Sequence, residues 1–280
     1  MVFRFVLMRL SCFQDGRFFL QKSKIVFFNI KKQSFPRFPL LSILKAMKSI
    51  LRSLDDAFCL LYPRLCLACE KKHLSPKQIL CTTCEFKLPS TNFHLEKEND
   101  FTKKFWGRVN IHTGASLYYF YKKSKTQNLI HNLKYKGKRQ VGIMVGKMLG
   151  RKLLKSSFYQ DIDLIIPIPL HYKKEARRGF NQSSVFAQGL SEVMDIPWSQ
   201  EYLIRNTHTK TQTKKSRLER FQNVMQAFEI RNPEFLENNH ILLVDDVLTT
   251  GATLEAGAMK ILEVPGTKVS MATIAFAKND

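Results

Sequence analysis

The chain has 280 residues, 44% of them hydrophobic, and its 45 lysines and arginines outnumber its 23 aspartates and glutamates, giving a formal charge of +22. This length holds one domain of ordinary size with a small appended module, and the charge favours polyanionic partners such as nucleic acid or phosphorylated metabolites. No stretch reaches the roughly 18 uncharged apolar residues of a membrane span, which excludes a transmembrane helix and leads us to expect a cytoplasmic protein.

The first 46 residues form a basic, phenylalanine-rich extension with nine basic side chains and one acidic one. Two arginines interrupt its first apolar segment, so it fits a cleavable signal peptide poorly. After Met47, apolar residues recur at helical spacing, namely Ile50, Leu51, Leu54 and Phe58. We therefore expect translation to begin at Met47; the alternative is that residues 1–46 are a disordered basic tail.

Four of the six cysteines form two C-x2-C knuckles separated by eleven residues: Cys66, Cys69, Cys81 and Cys84. Two such knuckles let four thiolates converge on one Zn²⁺ at about 2.3 Å each, with no coordination position left open for catalysis. The alternatives are disulfides, which the poor signal peptide argues against, and a thioredoxin-like redox pair, which normally lacks a second knuckle. We predict a structural zinc ribbon, and we do not expect Cys12 or Cys59 to bind metal.

Residues 241–260 read as an apolar strand, two carboxylates, a loop of small residues and a helix. Ligands of parallel sheets bind outside the carboxyl ends of the strands, where Asp245 and Asp246 would lie after a strand at 241–244. Carboxylates suit the vicinal hydroxyls of a ribose as hydrogen-bond acceptors. Backbone N–H groups and hydroxyls of the loop would hold a phosphate before a helix starting at Leu254; the loop residues are Thr249, Thr250, Gly251, Ala252 and Thr253. The alternative is an ordinary helix cap beside solvated aspartates.

The run VDDVLTTGAT, residues 244–253, resembles the phosphoribosyl pyrophosphate motif of type I phosphoribosyltransferases. The resemblance implies that Asp245 and Asp246 bind ribose hydroxyls and that residues 249–253 bind the 5′-phosphate. It also implies that Mg²⁺ binds together with the pyrophosphate. Neither a P-loop nor the glycine pattern of dinucleotide-binding proteins occurs in this segment.

Two basic segments are candidates for binding pyrophosphate or a DNA backbone. The first follows a strand at 162–168 that ends in prolines, and the second spans residues 203–220. Their candidate residues are Arg177, Arg178, Lys214, Arg217 and Arg220. The alternative is that these side chains form solvated surfaces.

Several of these segments resemble the ComF family of competence-associated proteins: PIPLH at 167–171, RRGFNQ at 177–182, SRLERFQNVMQAF at 216–228 and LKYKG at 133–137. That family carries a four-cysteine zinc finger before a phosphoribosyltransferase-like domain. The resemblance covers roughly residues 47–278 and implies a role in DNA uptake during natural transformation. The implied partners are phosphoribosyl pyrophosphate, single-stranded DNA and the DNA-uptake machinery.

We therefore predict an α/β protein with a type I phosphoribosyltransferase-like parallel sheet flanked by helices and a small N-terminal zinc ribbon. The expected strands lie near 111–121, 162–168, 241–244 and 268–276, and the expected regions are 1–46, 47–92 with the ribbon, and 93–280 with the sheet. Two functions remain open: a phosphoribosyltransferase with an unidentified acceptor, and a non-catalytic single-stranded-DNA-binding protein on a degenerate transferase fold.

Overall fold

The computed structural model describes residues 63–75, 78–205 and 227–278. These residues belong to one compact unit, Asp55–Asp280. The proposed start at Met47 and the first 46 residues lie outside the described ranges, as do Cys12 and Cys59. The candidate basic residues Lys214, Arg217 and Arg220 also lie outside them.

The centre of the molecule is a sheet of four parallel strands in the order β1-β6-β5-β2, and a separate antiparallel pair joins β3 to β4. The strands are β1 (Gly114–Phe120), β2 (Leu164–Pro167), β3 (Leu203–Arg205), β4 (Phe228–Ile230), β5 (His240–Leu248) and β6 (Lys268–Ala277). Each of the four strands of the sheet overlaps one of the four expected positions. The predicted parallel α/β class is confirmed.

The central strand β5 is longer than the sequence suggested. Its first part, residues 241–244, is fully buried, as expected for a strand covered on both faces. Pairing with β6 then continues through Val247 and Leu248, which lie opposite Ala275 and Phe276. The expectation that the strand ends at 244 was wrong, because these two apolar residues keep the ladder intact beyond the carboxylates.

Helices flank the sheet: α1 (Thr82–Lys87), α2 (Asp100–Lys103), α3 (Lys125–Tyr135), α4 (Arg139–Leu153), α5 (Tyr172–Arg178), α6 (Gln182–Met194) and α7 (Ala252–Leu262). The closest helix pair is α4 with α6, and α6 also packs against β2 and β5. Glycines allow this approach, because a Cβ atom at Gly146 would lie 2.5 Å from the carbonyl oxygen of Phe186. No helix within the described ranges is long and apolar enough to cross a membrane.

Candidate functional site

The carboxylate of Asp245 lies in β5 beside the start of α6. Its Oδ1 accepts hydrogen bonds from Ser183 Oγ at 2.9 Å and from the backbone N–H of Asp246 at 2.8 Å. Burial, reinforced by the neighbouring Asp246 charge, raises the pKa of Asp245 to about 7. Both hydrogen bonds end on Oδ1.

Asp246, the second carboxylate, pairs with a lysine of α3. Lys134 Nζ lies 2.9 Å from Asp246 Oδ2. The lysine also favours the ionised form of Asp245. The positive charge therefore partly compensates two adjacent carboxylates at an edge where an anionic ligand would otherwise be repelled.

The loop after β5 leads into the amino end of α7. Thr249 and Thr250 are exposed, and the helix begins at Ala252, two residues earlier than expected, so that Ala252 and Thr253 belong to its first turn. Gly251 is the N-cap, and no side chain caps the helix. The N–H groups of the first turn are thus not satisfied by a side-chain cap, and an anion fits this position.

Gly251 is required by both conformation and space. Its φ is +84°, a region that side chains other than glycine enter at a cost of about 1–2 kcal/mol. A Cβ atom here would also lie 3.0 Å from the ring of Phe105. Phe105 is fully buried and cannot easily give way. The loop therefore lies directly against the segment that follows α2.

Two basic residues of that segment contact the loop. Lys104 Nζ donates to the carbonyl oxygen of Thr249 at 2.8 Å, and Arg108 Nη1 donates to that of Thr250 at 3.1 Å. Sequence reasoning missed both, because they lie 145 and 142 residues before their partners. No local motif marks them.

The two candidate arginines of α5 are placed differently. Arg178 Nη1 donates to Gln182 Oε1 at 2.6 Å, and its guanidinium lies 5.6 Å from the centre of the Tyr135 ring. Gln182 precedes Ser183, which donates to Asp245, so Arg178 contacts the same first turn of α6 that holds this carboxylate. Arg177 is exposed and has no hydrogen bond or ion pair to the described residues of this site.

The four cysteine sulfurs converge. Their Sγ atoms all lie within 4.8 Å of one another, and none of the four is in a disulfide. Four sulfurs at zinc-bond length from one ion would be about 3.8 Å apart, so a small closure completes the tetrahedron. The set is Cys66, Cys69, Cys81 and Cys84, and it can hold a metal such as zinc.

The surroundings shift the pKa values of two of the sulfurs in opposite directions. The backbone N–H of Lys71 lowers the pKa of Cys69 to about 6, as in a knuckle whose amides point at a thiolate. Burial raises the pKa of Cys84 to about 12. Such a thiol ionises only when a positive charge compensates it, and a divalent metal supplies that charge.

The cysteine module docks onto one side of α3. Asn128 Nδ2 donates to the carbonyl oxygen of Ala68 at 2.9 Å, and Asn132 Nδ2 donates to that of Leu67 at 3.0 Å. One turn later, Lys136 Nζ lies 2.8 Å from Glu70 Oε1. Because α3 also carries Lys134, a single helix connects the cysteine cluster to Asp246.

A basic cleft lies between the cysteine module and α3. Its volume is about 480 Å³, and Cys69, Cys81 and Cys84 form part of its wall. Four lysines line it: Lys71, Lys72, Lys123 and Lys125. Such a cleft is suited to a phosphate-bearing chain.

Comparison with known proteins identifies a phosphoribosyl transferase domain at residues 181–280. The chain is 34% identical over 137 residues to the DNA utilization protein YhgH of Escherichia coli O157:H7, covering 48% of this chain and 60% of the relative. It is 42% identical over 94 residues to Competence protein F of Haemophilus influenzae, covering 33% and 41% of the two chains. It is 40% identical over 100 residues to Competence protein ComFC of Bacillus subtilis, covering 36% and 38%.

The chain therefore spans at most 60% of the length of these curated relatives. A solved glutamine phosphoribosylpyrophosphate amidotransferase from B. subtilis is 20% identical, with a TM-score of 0.35 over 48% of this chain and 26% of that one. The relatives named Competence protein F and ComFC, together with the phosphoribosyl transferase domain, support the resemblance of this chain to the ComF family.

Proposed function

We propose that this protein binds phosphoribosyl pyrophosphate at the carboxyl end of β5 and acts in DNA uptake during natural transformation. The observation that carries the ligand assignment is the arrangement of β5 and α7. Two carboxylates able to accept ribose hydroxyls are followed, three residues later, by a loop that leads into a helix start without a side-chain cap. A sugar and its 5′-phosphate need this combination of acceptors and donors.

Each group at this edge has a distinct role in the proposal. Asp245 and Asp246 accept hydrogen bonds from the ribose hydroxyls, and the N–H groups and hydroxyls of residues 249–253 donate to the 5′-phosphate. Arg178, bonded to Gln182 in the first turn of α6 next to Ser183, is the described candidate for pyrophosphate. Mg²⁺ enters with the pyrophosphate, whose oxygens it prefers as ligands.

We further propose that the four cysteines bind zinc and that the metal is structural. Four protein thiolates complete a tetrahedral shell, so no position remains for a substrate or a reactive water. The module then serves the domain through its contacts with α3. The ordinary transferase reaction, displacement of pyrophosphate at the anomeric carbon, also needs an acceptor, whose class we do not assign.

Single-stranded DNA binding is a second candidate function, favoured by the basic cleft beside the cysteine module. Its four lysines supply charges that a phosphate backbone would neutralise, with an affinity that falls steeply as salt rises. Two relatives carry names that refer to DNA utilization and competence. The cleft and the ligand loop are separate surfaces of one unit, so the two functions are compatible.

The ligand assignment is tested by calorimetric titration of the zinc-loaded protein with phosphoribosyl pyrophosphate and Mg²⁺. We expect saturable binding in the wild type that is lost in the Asp245→Asn/Asp246→Asn variant. A matched control, Asp195→Asn/Glu237→Gln, removes two negative charges from exposed positions and should bind as the wild type does. Absence of binding in the wild type would contradict the assignment and leave the DNA-binding function as the better account.

The DNA-binding function is tested by titrating a fluorescent oligonucleotide at several salt concentrations. Replacing the four cleft lysines by alanine should weaken binding and make the dependence on salt shallower. The control replaces four exposed lysines elsewhere: Lys97, Lys103, Lys155 and Lys278. Equal losses in the two variants would assign the affinity to net charge and not to the cleft.

A further inference from the structure

The ligand loop, residues 249–253, is held on one side by side chains of the segment that follows α2. These side chains donate hydrogen bonds to carbonyl groups of the loop. Lys104 Nζ bonds to the carbonyl oxygen of Thr249 at 2.8 Å and to that of Ala277, at the end of β6, at 2.9 Å. Its ammonium also lies 4.7 Å from the centre of the Phe276 ring. One lysine thereby joins the ends of the two central strands.

Arg108 holds the next carbonyl and is itself held by a buried carboxylate. Its Nη1 donates to the carbonyl oxygens of Thr250 at 3.1 Å and Lys104 at 3.0 Å. Its Nε lies 3.1 Å from Glu255 Oε1, and its Nη2 pairs with Glu255 Oε2. The Glu255 side chain is 3% exposed and lies in the first turn of α7. This two-pronged pair restricts Arg108 to one geometry.

Because the peptide bond is planar, these contacts with carbonyl groups also fix the direction of the loop N–H groups. In a trans peptide the C=O and N–H groups point in opposite directions, and none of the described peptide bonds is cis. A carbonyl of Thr249 held by Lys104 therefore directs the N–H of Thr250 away from Lys104. A carbonyl of Thr250 held by Arg108 likewise directs the N–H of Gly251 away from Arg108.

We propose that Lys104 and Arg108 are positioning residues that orient the loop N–H groups toward the ligand phosphate before the ligand arrives. The inference rests on the proposed phosphoribosyl site and assigns to it two residues outside the sequence motif. A freely rotating loop could also present its carbonyl oxygens, which repel a phosphate. Holding those oxygens on cations removes that conformation and with it part of the ordering cost of binding.

The test compares adjacent lysines of the same segment. Lys104→Met removes the hydrogen bonds to the carbonyls, whereas Lys103→Met removes an equal charge from a side chain whose one ion pair among the described residues is with the exposed Asp100. We expect the affinity for ribose 5-phosphate to fall about tenfold in Lys104→Met, as for loss of a charged hydrogen bond, and less than twofold in Lys103→Met. Lys104→Arg, which keeps a cationic donor, should recover most of the loss.

A second readout follows the amides directly. In ¹⁵N-labelled wild-type protein, the amide protons of Thr250 and Gly251 should move downfield when ribose 5-phosphate saturates the site, and Lys104→Met should reduce that shift. If Lys104→Met does not fold, the variant Arg108→Gln/Glu255→Gln replaces the Arg108–Glu255 ion pair with two amides and removes the contact of Arg108 with the loop. Equal affinities for folded Lys104→Met and Lys103→Met would overturn the inference alone, whereas a wild type that does not bind ribose 5-phosphate overturns the proposed function with it.

Discussion

The ligand loop and the cysteine cluster are stabilised in different ways. The loop joins two elements of a large core and is held by buried Phe105, by partly buried Lys104 and by Arg108, whose guanidinium pairs with the buried Glu255. The cysteine cluster instead depends on four converging sulfurs that can hold a metal ion. The ligand loop should therefore keep its structure when the metal is removed. The cysteine cluster should keep its structure when the phosphoribosyl ligand is absent.

The largest expected effect is loss of the cysteine module when one ligand is removed. Structural zinc sites contribute on the order of 10 kcal/mol to folding, so Cys84→Ser should release the metal and unfold residues 63–88 while the sheet remains intact. Metal analysis and limited proteolysis measure the two results, and Cys59→Ser is the control. A Cys84→Ser protein that keeps a full equivalent of zinc would contradict the assignment.

The same variant tests whether the ligand loop depends on the cysteine module. The module contacts the helix that carries Lys134, the partner of Asp246. We expect the affinity for phosphoribosyl pyrophosphate to fall only a few-fold in Cys84→Ser. Loss of the module should disturb the Lys134–Asp246 ion pair, while Lys104 and Arg108 still hold the loop. Complete loss of binding in a protein with an intact sheet would show that the two regions are not separable.

The next largest effect is that of Gly251→Ala. Positive φ should cost about 1–2 kcal/mol of stability, and contact with Phe105 should displace the loop and abolish ligand binding. Gly137→Ala is the matched control, because Gly137 has a φ of +64° but open space where a Cβ atom would lie. Denaturant titration should find both variants destabilised, and calorimetry should find binding lost only in Gly251→Ala. Binding retained in that variant would contradict the close approach at Phe105.

A moderate effect concerns pH. Burial raises the pKa of Asp245 from 3.8 to about 7, so between these values the folded protein holds a proton that the unfolded chain has released. The contribution of Asp245 to stability therefore falls as pH rises through this window. Ribose hydroxyls donate to the ionised carboxylate, so affinity for ribose 5-phosphate should rise from pH 6 to 8.

The 5′-phosphate of the ligand itself titrates near pH 6. The Asp245→Asn variant distinguishes this titration from that of the Asp245 carboxylate. The variant keeps the phosphate titration and should lose the component near pH 7. Identical affinity profiles for the two proteins, measured by calorimetry across this range, would remove Asp245 from the ribose site.

The smallest expected effect is that of Lys136→Met. The ion pair with Glu70 is about half exposed, so its loss should cost no more than about 1 kcal/mol. Glu70→Gln should give a similar change in denaturant titration, and the double variant should add little to either. A much larger loss would mean that the module depends on this pair more than on the buried asparagine contacts.

The sequence was most informative where one short segment holds the whole pattern. Cysteine spacing predicted four converging sulfurs, and the run at 244–253 predicted a strand, carboxylates and a helix start. The supporting residues could not be found in this way, because Ser183 lies 62 residues from Asp245 and Arg108 lies 147 residues from Glu255. Nothing local separates Arg178, which bonds to Gln182, from exposed Arg177. Such pairings depend on packing of the whole sheet.

The most direct test of the ligand site is hydrogen–deuterium exchange of the zinc-loaded protein with and without saturating phosphoribosyl pyrophosphate and Mg²⁺. We expect slower exchange in peptides covering residues 245–254 and no change in those covering residues 66–84. Protection confined to the cysteine module, or no protection at residues 245–254, would contradict the assignment of β5 and α7 as the phosphoribosyl site.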